Sequence, residues 1–272
     1  MTPPGLAALL NAEEQRAWQA CLAQSSVHVR RARDILAAGD HPEVVIIAKS
    51  GWVQRYRQLR GRRQIVSLYL PGEICDQSVL SGQAATTALA GVQDVELALI
   101  VPEEAMALYS RFPGIERLFR ANHIVHERIE REWMVSLGLR NAEERIAHLC
   151  CELLVRQGCH LTGAVSIPLL LNQAQIGEVV GLTSVHVNRT IASLRGRFGL
   201  SARGQRLEVA DAAGLADFVR FDGRYLSLRG VGVCAATAAK GSHHAARAQP
   251  RAETLFRSAM APAQAIRLAG AL

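Results

Sequence analysis

Two short segments around residue 180 have the residue types and the spacing of a DNA-reading motif. The segment 172–175, Asn-Gln-Ala-Gln, has the spacing of a helix capping box and opens a short helix that ends at Gly181. Thr183 is the predicted N-cap of a second helix over residues 184–197. Gly177 lets the two helices approach closely, and Gly181 permits the tight turn between them. This arrangement can place the second helix in a DNA major groove.

The second helix has the two faces of a recognition helix. Val187, Ile191 and Leu194 fall on one face, which we expect to pack inward. Arg189 falls on the opposite face, where a guanidinium can make a bidentate contact to guanine, while Val185 can contact a thymine methyl group. The predicted DNA contacts are Gln173, Thr183, Ser184, Val185, His186, Asn188, Arg189, Arg203 and Arg206.

A basic hairpin is predicted directly after this helix. Residues 200–209 form two short strands around Gly204, and Arg203 and Arg206 would lie along the phosphate backbone, where they position the protein without reading sequence. Helix pairs joined by a turn also occur in proteins that bind no DNA. The spacing, the glycines, the exposed basic positions and the hairpin together favour the DNA-binding interpretation.

The composition agrees with a polyanionic partner without establishing one. The chain has 272 residues, enough for two modest domains, and a formal net charge of +7. The six cysteines include no CxxC pair and no histidine at zinc-ligand spacing, so we predict no metal site and no cofactor. The N-terminus does not resemble a signal peptide, and the apolar runs are too short to span a membrane. We therefore expect a cytoplasmic protein with reduced thiols and no membrane partner.

The region from about residue 27 to residue 100 predicts a β-domain. Runs rich in β-branched residues, such as 44–47, 64–70 and 95–100, alternate with glycine turns at short intervals. This pattern is typical of an antiparallel sandwich or barrel. Because helical periodicity dominates after Pro102, the predicted fold class is α+β.

A long amphipathic helix is predicted from about residue 114 to residue 137, before a hinge near Gly138. Its apolar positions recur at alternating spacings of three and four, as in a coiled-coil seam with one polar insertion. The predicted dimer-interface residues are Ile115, Leu118, Asn122, Val125 and Ile129. The same spacing also suits a helix packed against its own β-domain, and the sequence leaves both interpretations open.

Three segments resemble the Crp/Fnr family of bacterial regulators, relatives of the cyclic-AMP receptor protein. They are LYLPGEI (68–74), RNAEERIAHLCCELL (140–154) and NQAQIGEVVGLTSVHVNRTIASL (172–194), and the resemblance extends over roughly residues 20–228. It implies an N-terminal antiparallel β-roll of the jelly-roll, cyclic-nucleotide-binding-like type that senses a signal. It also implies a long dimerisation helix and a C-terminal winged helix-turn-helix.

The resemblance implies a domain division and a set of partners. We expect a β-roll sensor domain at 1–112, a dimerisation helix and hinge at 113–140, a winged helix-turn-helix at 141–229, and a disordered tail at 230–272. The expected partners are double-stranded DNA with a palindromic operator, a second copy of the chain, and RNA polymerase.

The residues of the β-domain argue against cyclic AMP as the signal. The family's Gly-Glu of the phosphate cassette is present as Gly72-Glu73, but its Arg-Ser pair falls on Ala85-Thr86, so the phosphate-neutralising arginine is missing. The two hydroxyl residues that touch the purine in cyclic-AMP receptors fall on Glu130 and Arg131. An unneutralised phosphate beside a glutamate is unfavourable.

The sequence also lacks the residues that bind the cofactors of other sensors in the family. Of the N-terminal cysteine cluster that holds an iron–sulfur centre, only Cys21 is present, and the Cys-x-His of haem-containing relatives reads 75–77, Cys-Asp-Gln. His123 and His126 suit a solvated or interface position better than a metal or haem site. Cys150-Cys151 is better explained as core packing than as a redox switch. The effector remains open.

Two other classes of protein fit the sequence less well than a regulator does. A cupin-like enzyme needs a His-x-His with further ligands in its strands, whereas the β-region holds only His28 and His41. A cyclic-nucleotide-binding regulatory subunit conflicts with the missing arginine and the intact reading helix. We therefore predict a DNA-binding regulator and no enzyme.

Overall fold

Short β-branched segments form two four-stranded antiparallel sheets in the N-terminal part of the chain. In this computed structural model, the described residues are 6, 8–31 and 33–227. The strands are β1 (Ser26–Val29), β2 (Asp34–Leu36), β3 (Val45–Ser50), β4 (Val53–Leu59), β5 (Arg62–Tyr69), β6 (Ile74–Asp76), β7 (Ala88–Gly91) and β8 (Val95–Ile100). The sheet orders are β1-β8-β3-β6 and β2-β7-β4-β5. The predicted antiparallel β-roll is confirmed.

The β-roll core is formed by side chains from both sheets. Ile46 and Leu97 of one sheet belong to the same buried cluster as Val53 and Leu89 of the other. Burial of these side chains away from water is the main force that holds the two sheets together.

Helices pack against both sheets of the β-roll and form most of the remaining fold. They are α1 (Ala12–Gln24), α2 (Pro102–Arg111), α3 (Pro113–Leu139), α4 (Ala142–Arg156), α5 (Gln173–Val180), α6 (Ser184–Phe198) and α7 (Ala212–Phe218). Three more strands, β9 (Val165–Pro168), β10 (Ser201–Arg203) and β11 (Arg206–Val209), form a small sheet in the order β10-β11-β9. Among the described residues, no helix has the length and apolar character needed to cross a membrane.

The predicted dimer seam on α3 is wrong at four of its five positions. Ile115, Leu118, Asn122 and Ile129 are buried within the single chain. Asn122 also accepts a hydrogen bond from the backbone N–H of Ile74 at 3.2 Å and donates one to the Ile74 carbonyl at 3.0 Å. The apolar stripe therefore packs on the chain's own core, as the alternative interpretation held, because the β-roll covers this face.

The junction between α3 and α4 is a tight, bonded turn. α3 continues through Gly138 to its last residue, and Asn141 opens α4 with a capping box to Glu144. The guanidinium of Arg145 donates to the carbonyls of Leu137 at 2.8 Å and Arg140 at 2.8 Å. These bonds satisfy carbonyls at the end of α3, which the helix itself leaves unpaired, and they hold the turn in one conformation.

The β-roll and the C-terminal helices share one apolar cluster. Ile65 and Leu68 of β5 are buried together with Leu153 of α4 and Val179 of α5. The predicted tail, residues 230–272, and Cys234 within it lie outside the described residues.

Candidate nucleic-acid interface

Helices α5 and α6 form a close helix-turn-helix. α5 begins with the predicted capping box from Asn172 to Gln175, and Gly181 ends it with a left-handed backbone at φ 70°. A Cβ at Gly177 would lie 2.3 Å from the carbonyl oxygen of Leu182, so a larger residue would push the turn away from α5. The two glycines thus fix how closely the helices pack.

The outward face of α6 carries the residues that the sequence assigned to DNA contact. Val187, Ile191 and Leu194 are buried, as the helical spacing predicted. The exposed positions at the N-terminal end are Ser184, Val185, His186, Asn188 and Arg189. The side chain at Val185 is 63% exposed despite being apolar, which leaves it available for a methyl contact.

The first turn of α6 suits a negatively charged partner. Thr183 caps the helix by accepting from the backbone N–H of His186 at 3.3 Å, and the first turn contains no acidic residue. The remaining N-terminal N–H groups and the helix dipole favour a phosphate at this end. Gln173, at the start of α5, is half-buried.

The β10–β11 hairpin forms a basic wing. Gly204 and Gln205 both have left-handed backbones, at φ 57° and 60°, as a two-residue hairpin turn requires. Arg203 and Arg206 flank this turn and are exposed. Arg206 donates to the hydroxyl of Ser166 on β9 at 2.6 Å, which holds its guanidinium close to the sheet.

Two residues that the sequence reasoning did not single out hold the recognition helix in place. Glu143 accepts from Ser193 at 2.6 Å and from Arg197 at 2.9 Å, so it ties α6 to the start of α4. Arg145 donates to the carbonyl of Val180 at 3.3 Å, next to the turn between the helices. The capping sequence around 141–145 located both side chains on the first turn of α4, but not their partners on other helices.

The helix-turn-helix also contacts the β-roll directly. The side chain of Gln64 donates to the carbonyl of Val179 at 3.0 Å, and Arg63 pairs with Glu178 at 3.4 Å. Both bonds join the β4–β5 hairpin to α5. The β-roll therefore contributes to the orientation of α5, and through it of the helix-turn-helix.

Glu73, the glutamate of the cassette-like turn, is engaged by the chain's own side chains. Its carboxylate accepts from Arg156 at 2.8 Å and from the backbone N–H of Leu70 at 2.8 Å, and lies 3.2 Å from His126 Nε2. Burial alone would raise the pKa of Glu73, but the charge of Arg156 and the interaction with His126 lower it to about 2. Glu73 is therefore ionised and bound to helices α3 and α4.

The network around Arg156 continues into the C-terminal segment. Arg156 lies 3.3 Å from Glu152, whose other carboxylate oxygen accepts from Trp133 at 2.9 Å and from Tyr225 at 2.9 Å. All these groups are buried or half-buried. They connect α3, α4 and the segment after α7.

Arg55 fills the interior of the β-roll near the position where the sequence lacks the cassette arginine. Its guanidinium donates to Asp76 at 2.7 Å, to the Cys75 carbonyl at 2.6 Å and to Thr87 at 3.2 Å. The side chain of Tyr69 accepts from Arg55 Nε at 3.1 Å. Its donors are thus used within the protein.

The cysteines have the environment of core residues. Cys150 and Cys151 are buried side by side on α4, and burial raises the pKa of both thiols, that of Cys151 to about 12. A thiol with such a pKa is a poor nucleophile at neutral pH. His126 is buried against Glu73 whereas His123 is exposed, so the two do not form a paired site. Within the described part of the chain, no three His, Cys, Asp or Glu side chains gather as metal ligands.

Comparisons with known proteins point to one group of regulators. The model of the Crp-like helix-turn-helix domain matches residues 144–218. FixK, the nitrogen fixation regulation protein of Rhizobium meliloti strain 1021, is 29% identical over 177 residues, which cover 64% of this chain and 77% of FixK. A "Probable transcriptional activator" of Rhizobium leguminosarum bv. viciae is 29% identical over 140 residues, and the match spans 50% of this chain and 55% of that relative.

Solved structures have the same fold. FixK2 of Bradyrhizobium japonicum superimposes with a TM-score of 0.61 at 24% identity, over 71% of this chain and 96% of FixK2. The structure of CprK in complex with OCPA gives a TM-score of 0.57 at 15% identity, over 77% and 94% of the two chains. Both sequence relatives are described as regulators, in agreement with the regulator that the sequence predicts. Residues 144–218 therefore match a Crp-like helix-turn-helix domain, and the chain as a whole is similar to transcription regulators of the Crp/Fnr type in sequence and in fold.

Proposed function

We propose that this protein is a cytoplasmic regulator that binds a palindromic DNA site as a homodimer, with α6 in the major groove. The observation that carries the proposal is the exposed row of polar and basic side chains at the N-terminal end of α6, beside the basic wing. Arg189 would read a guanine, and Arg203 and Arg206 would contact phosphates. An interaction with RNA polymerase would follow from this role.

The surface of α3 supports a second copy of the chain as partner, through a different face from the one that the sequence indicated. Three of the seven large apolar side chains exposed in the described residues lie between positions 134 and 139. Met134 is 73% exposed and Leu139 is 82% exposed, and Val135 lies between them. Single exposed apolar residues are common, but a cluster of three at one helix end is typical of an interface.

A second copy explains this cluster better than another partner does. A palindromic operator presents two identical half-sites about one helical turn apart, and a two-fold axis close to α3 would bring two α6 helices to face them. Pairing of two copies across Met134 and Leu139 would remove these side chains from water. Val125 is half-buried and could border this contact.

The test is selection of binding sites from a random DNA pool by the full-length protein, with and without oxygen. We expect an enriched palindrome for the wild type and its loss for Arg189→Ala. Arg195→Ala is the matched control, because Arg195 is exposed on the same helix but lies further from its N-terminus. An unchanged motif in the Arg189 variant would contradict the assignment of the reading face.

The dimer is tested separately by sedimentation. Met134→Asp and Leu139→Asp place charges in the proposed contact and should convert dimers to monomers. Met106→Asp is the control, since Met106 is 53% exposed on α2, away from this contact. Dimers that persist in both α3 variants would refute this interface.

A further inference from the structure

A cleft lined by arginines lies between α3 and the segment that follows α7. Its volume is about 470 Å³, within the range of small-molecule sites. It is lined by Arg128, Glu132, Arg140, Arg220, Asp222, Arg224 and Tyr225. The cleft is separate from the α6 face and from the interior of the β-roll.

The charges that line the cleft do not balance. Four guanidiniums face two carboxylates, so the lining carries a net charge of +2. Glu132 forms an ion pair with Arg140 at 2.7 Å, and Asp222 forms one with Arg224. Within the described chain, Arg128 and Arg220 have no carboxylate partner within ion-pair distance.

Arg128 and Arg140 each have guanidinium nitrogens without a hydrogen-bond partner among the described residues. Arg140 Nη1 is shielded from solvent and has no hydrogen-bond partner among the described residues, although Nη2 is bound to Glu132. Arg128 uses one nitrogen, Nη1, to reach the carbonyl of Ser227 at 3.2 Å. Because Nη1 of Arg140 is shielded, an anion could reach it only after a local side-chain shift, whereas Arg128 offers its other guanidinium nitrogens directly.

We propose that this cleft binds a phosphorylated small molecule. The planar forks of several guanidiniums match the oxygens of a phosphate, and the volume exceeds that of a lone phosphate. A ligand here would touch α3 and the C-terminal segment together, and so would bridge the long helix and the helix-turn-helix domain. Tyr225, in the cleft wall, already contacts Glu152 on α4 at 2.9 Å, which links the cleft to the buried network.

The experiment is titration calorimetry of the full chain with sodium pyrophosphate at constant ionic strength, in the absence of DNA. We expect saturable binding at one site per chain, weakened about tenfold or more by Arg128→Gln and by Arg220→Gln, since each removes a charged hydrogen bond. Arg220 has a left-handed backbone, so its substitution can also change the local backbone. Arg128 lies within a helix, and its variant therefore tests the loss of charge without that effect. Arg117→Gln is the matched control, an exposed arginine on α3 outside the cleft.

Three results would overturn the proposal. They are the absence of saturable binding, an affinity that neither cleft variant alters, and an equal loss in the Arg117 variant, which would indicate general charge attraction. A second experiment measures nonspecific DNA binding by the same variants. If the cleft variants weaken DNA binding and leave pyrophosphate binding unchanged, the cleft serves the DNA backbone instead. None of these results depends on the proposed operator binding.

Discussion

Replacing Glu73 by Gln tests whether the buried ion pair to Arg156 joins the β-roll to the helix-turn-helix domain. The change keeps the size of the side chain and removes its charge, while Arg156 stays buried with only 4% of its side chain exposed. The pKa of Glu73 is lowered from 4.5 to about 2. At about 1.4 kcal/mol per pKa unit, the ionised carboxylate contributes about 3 kcal/mol, close to the cost of breaking a buried pair.

The measurement is urea denaturation at pH 7, followed by fluorescence. We expect Glu73→Gln to lower the free energy of unfolding by about 3 kcal/mol. Glu96→Gln is the matched control, because Glu96 pairs with Lys49 at 2.8 Å at the surface and the loss there should be much smaller. Equal losses in the two variants would refute the assignment of Glu73 as a structural link.

A double-mutant cycle isolates the pair itself. Arg156→Met should destabilise on its own, because it leaves Glu73 buried without its main partner, and the double variant should lose less than the sum of the two single losses. The pH dependence of the unfolding free energy is an independent test of the sign of this contribution. Since the folded-state pKa of Glu73 is lowered, its contribution is complete above about pH 4.5 and is lost as the pH falls toward 2.

Three further predictions concern other sites. Burial, together with Arg140, lowers the pKa of His148 to about 3, so the folded chain should lose about 2 kcal/mol of stability between pH 7 and pH 5. Urea titration at the two pH values measures this loss, and His148→Gln should remove it. Gly177→Val should destabilise the helix-turn-helix and weaken operator binding in mobility-shift assays, because the new Cβ would meet the carbonyl of Leu182. Gly196→Val is the control, since a Cβ at this position on α6 meets no other atom and should have a small effect. Glu143→Ala should weaken specific binding without changing the preferred motif in the DNA selection, since Glu143 holds α6 without pointing to the DNA face.

The helix-turn-helix could be predicted from the sequence because each of its determinants is local. Capping spacing, a turn glycine and a buried face with helical period lie within about 25 residues, and the structure has them in the same places. The inward positions Val187 and Leu194 follow from the helical period alone. The β-roll was also predictable, as alternation and turn signals are local features, although its strand order was not.

The role of α3 could not be predicted in the same way. Spacings of three and four reveal that a helix has one apolar face, but they do not say what covers it. For Ile115 and Leu118 the cover is the chain's own core. The exposed apolar residues near Met134 follow no regular heptad, so they gave no periodic signal.

Glu73 has a structural role at a position that resembles the ligand cassette of the Crp/Fnr family. Residues 72–73 match the family's cassette, yet the partner of Glu73 lies 83 residues further along the chain. No short-range pattern could connect the two positions. Because the carboxylate already binds Arg156 and His126, any β-roll ligand that used Glu73 would first have to break this pair. Such a ligand would loosen α4 from the β-roll, so we expect it to alter the placement of α6 through the same contacts that now fix it.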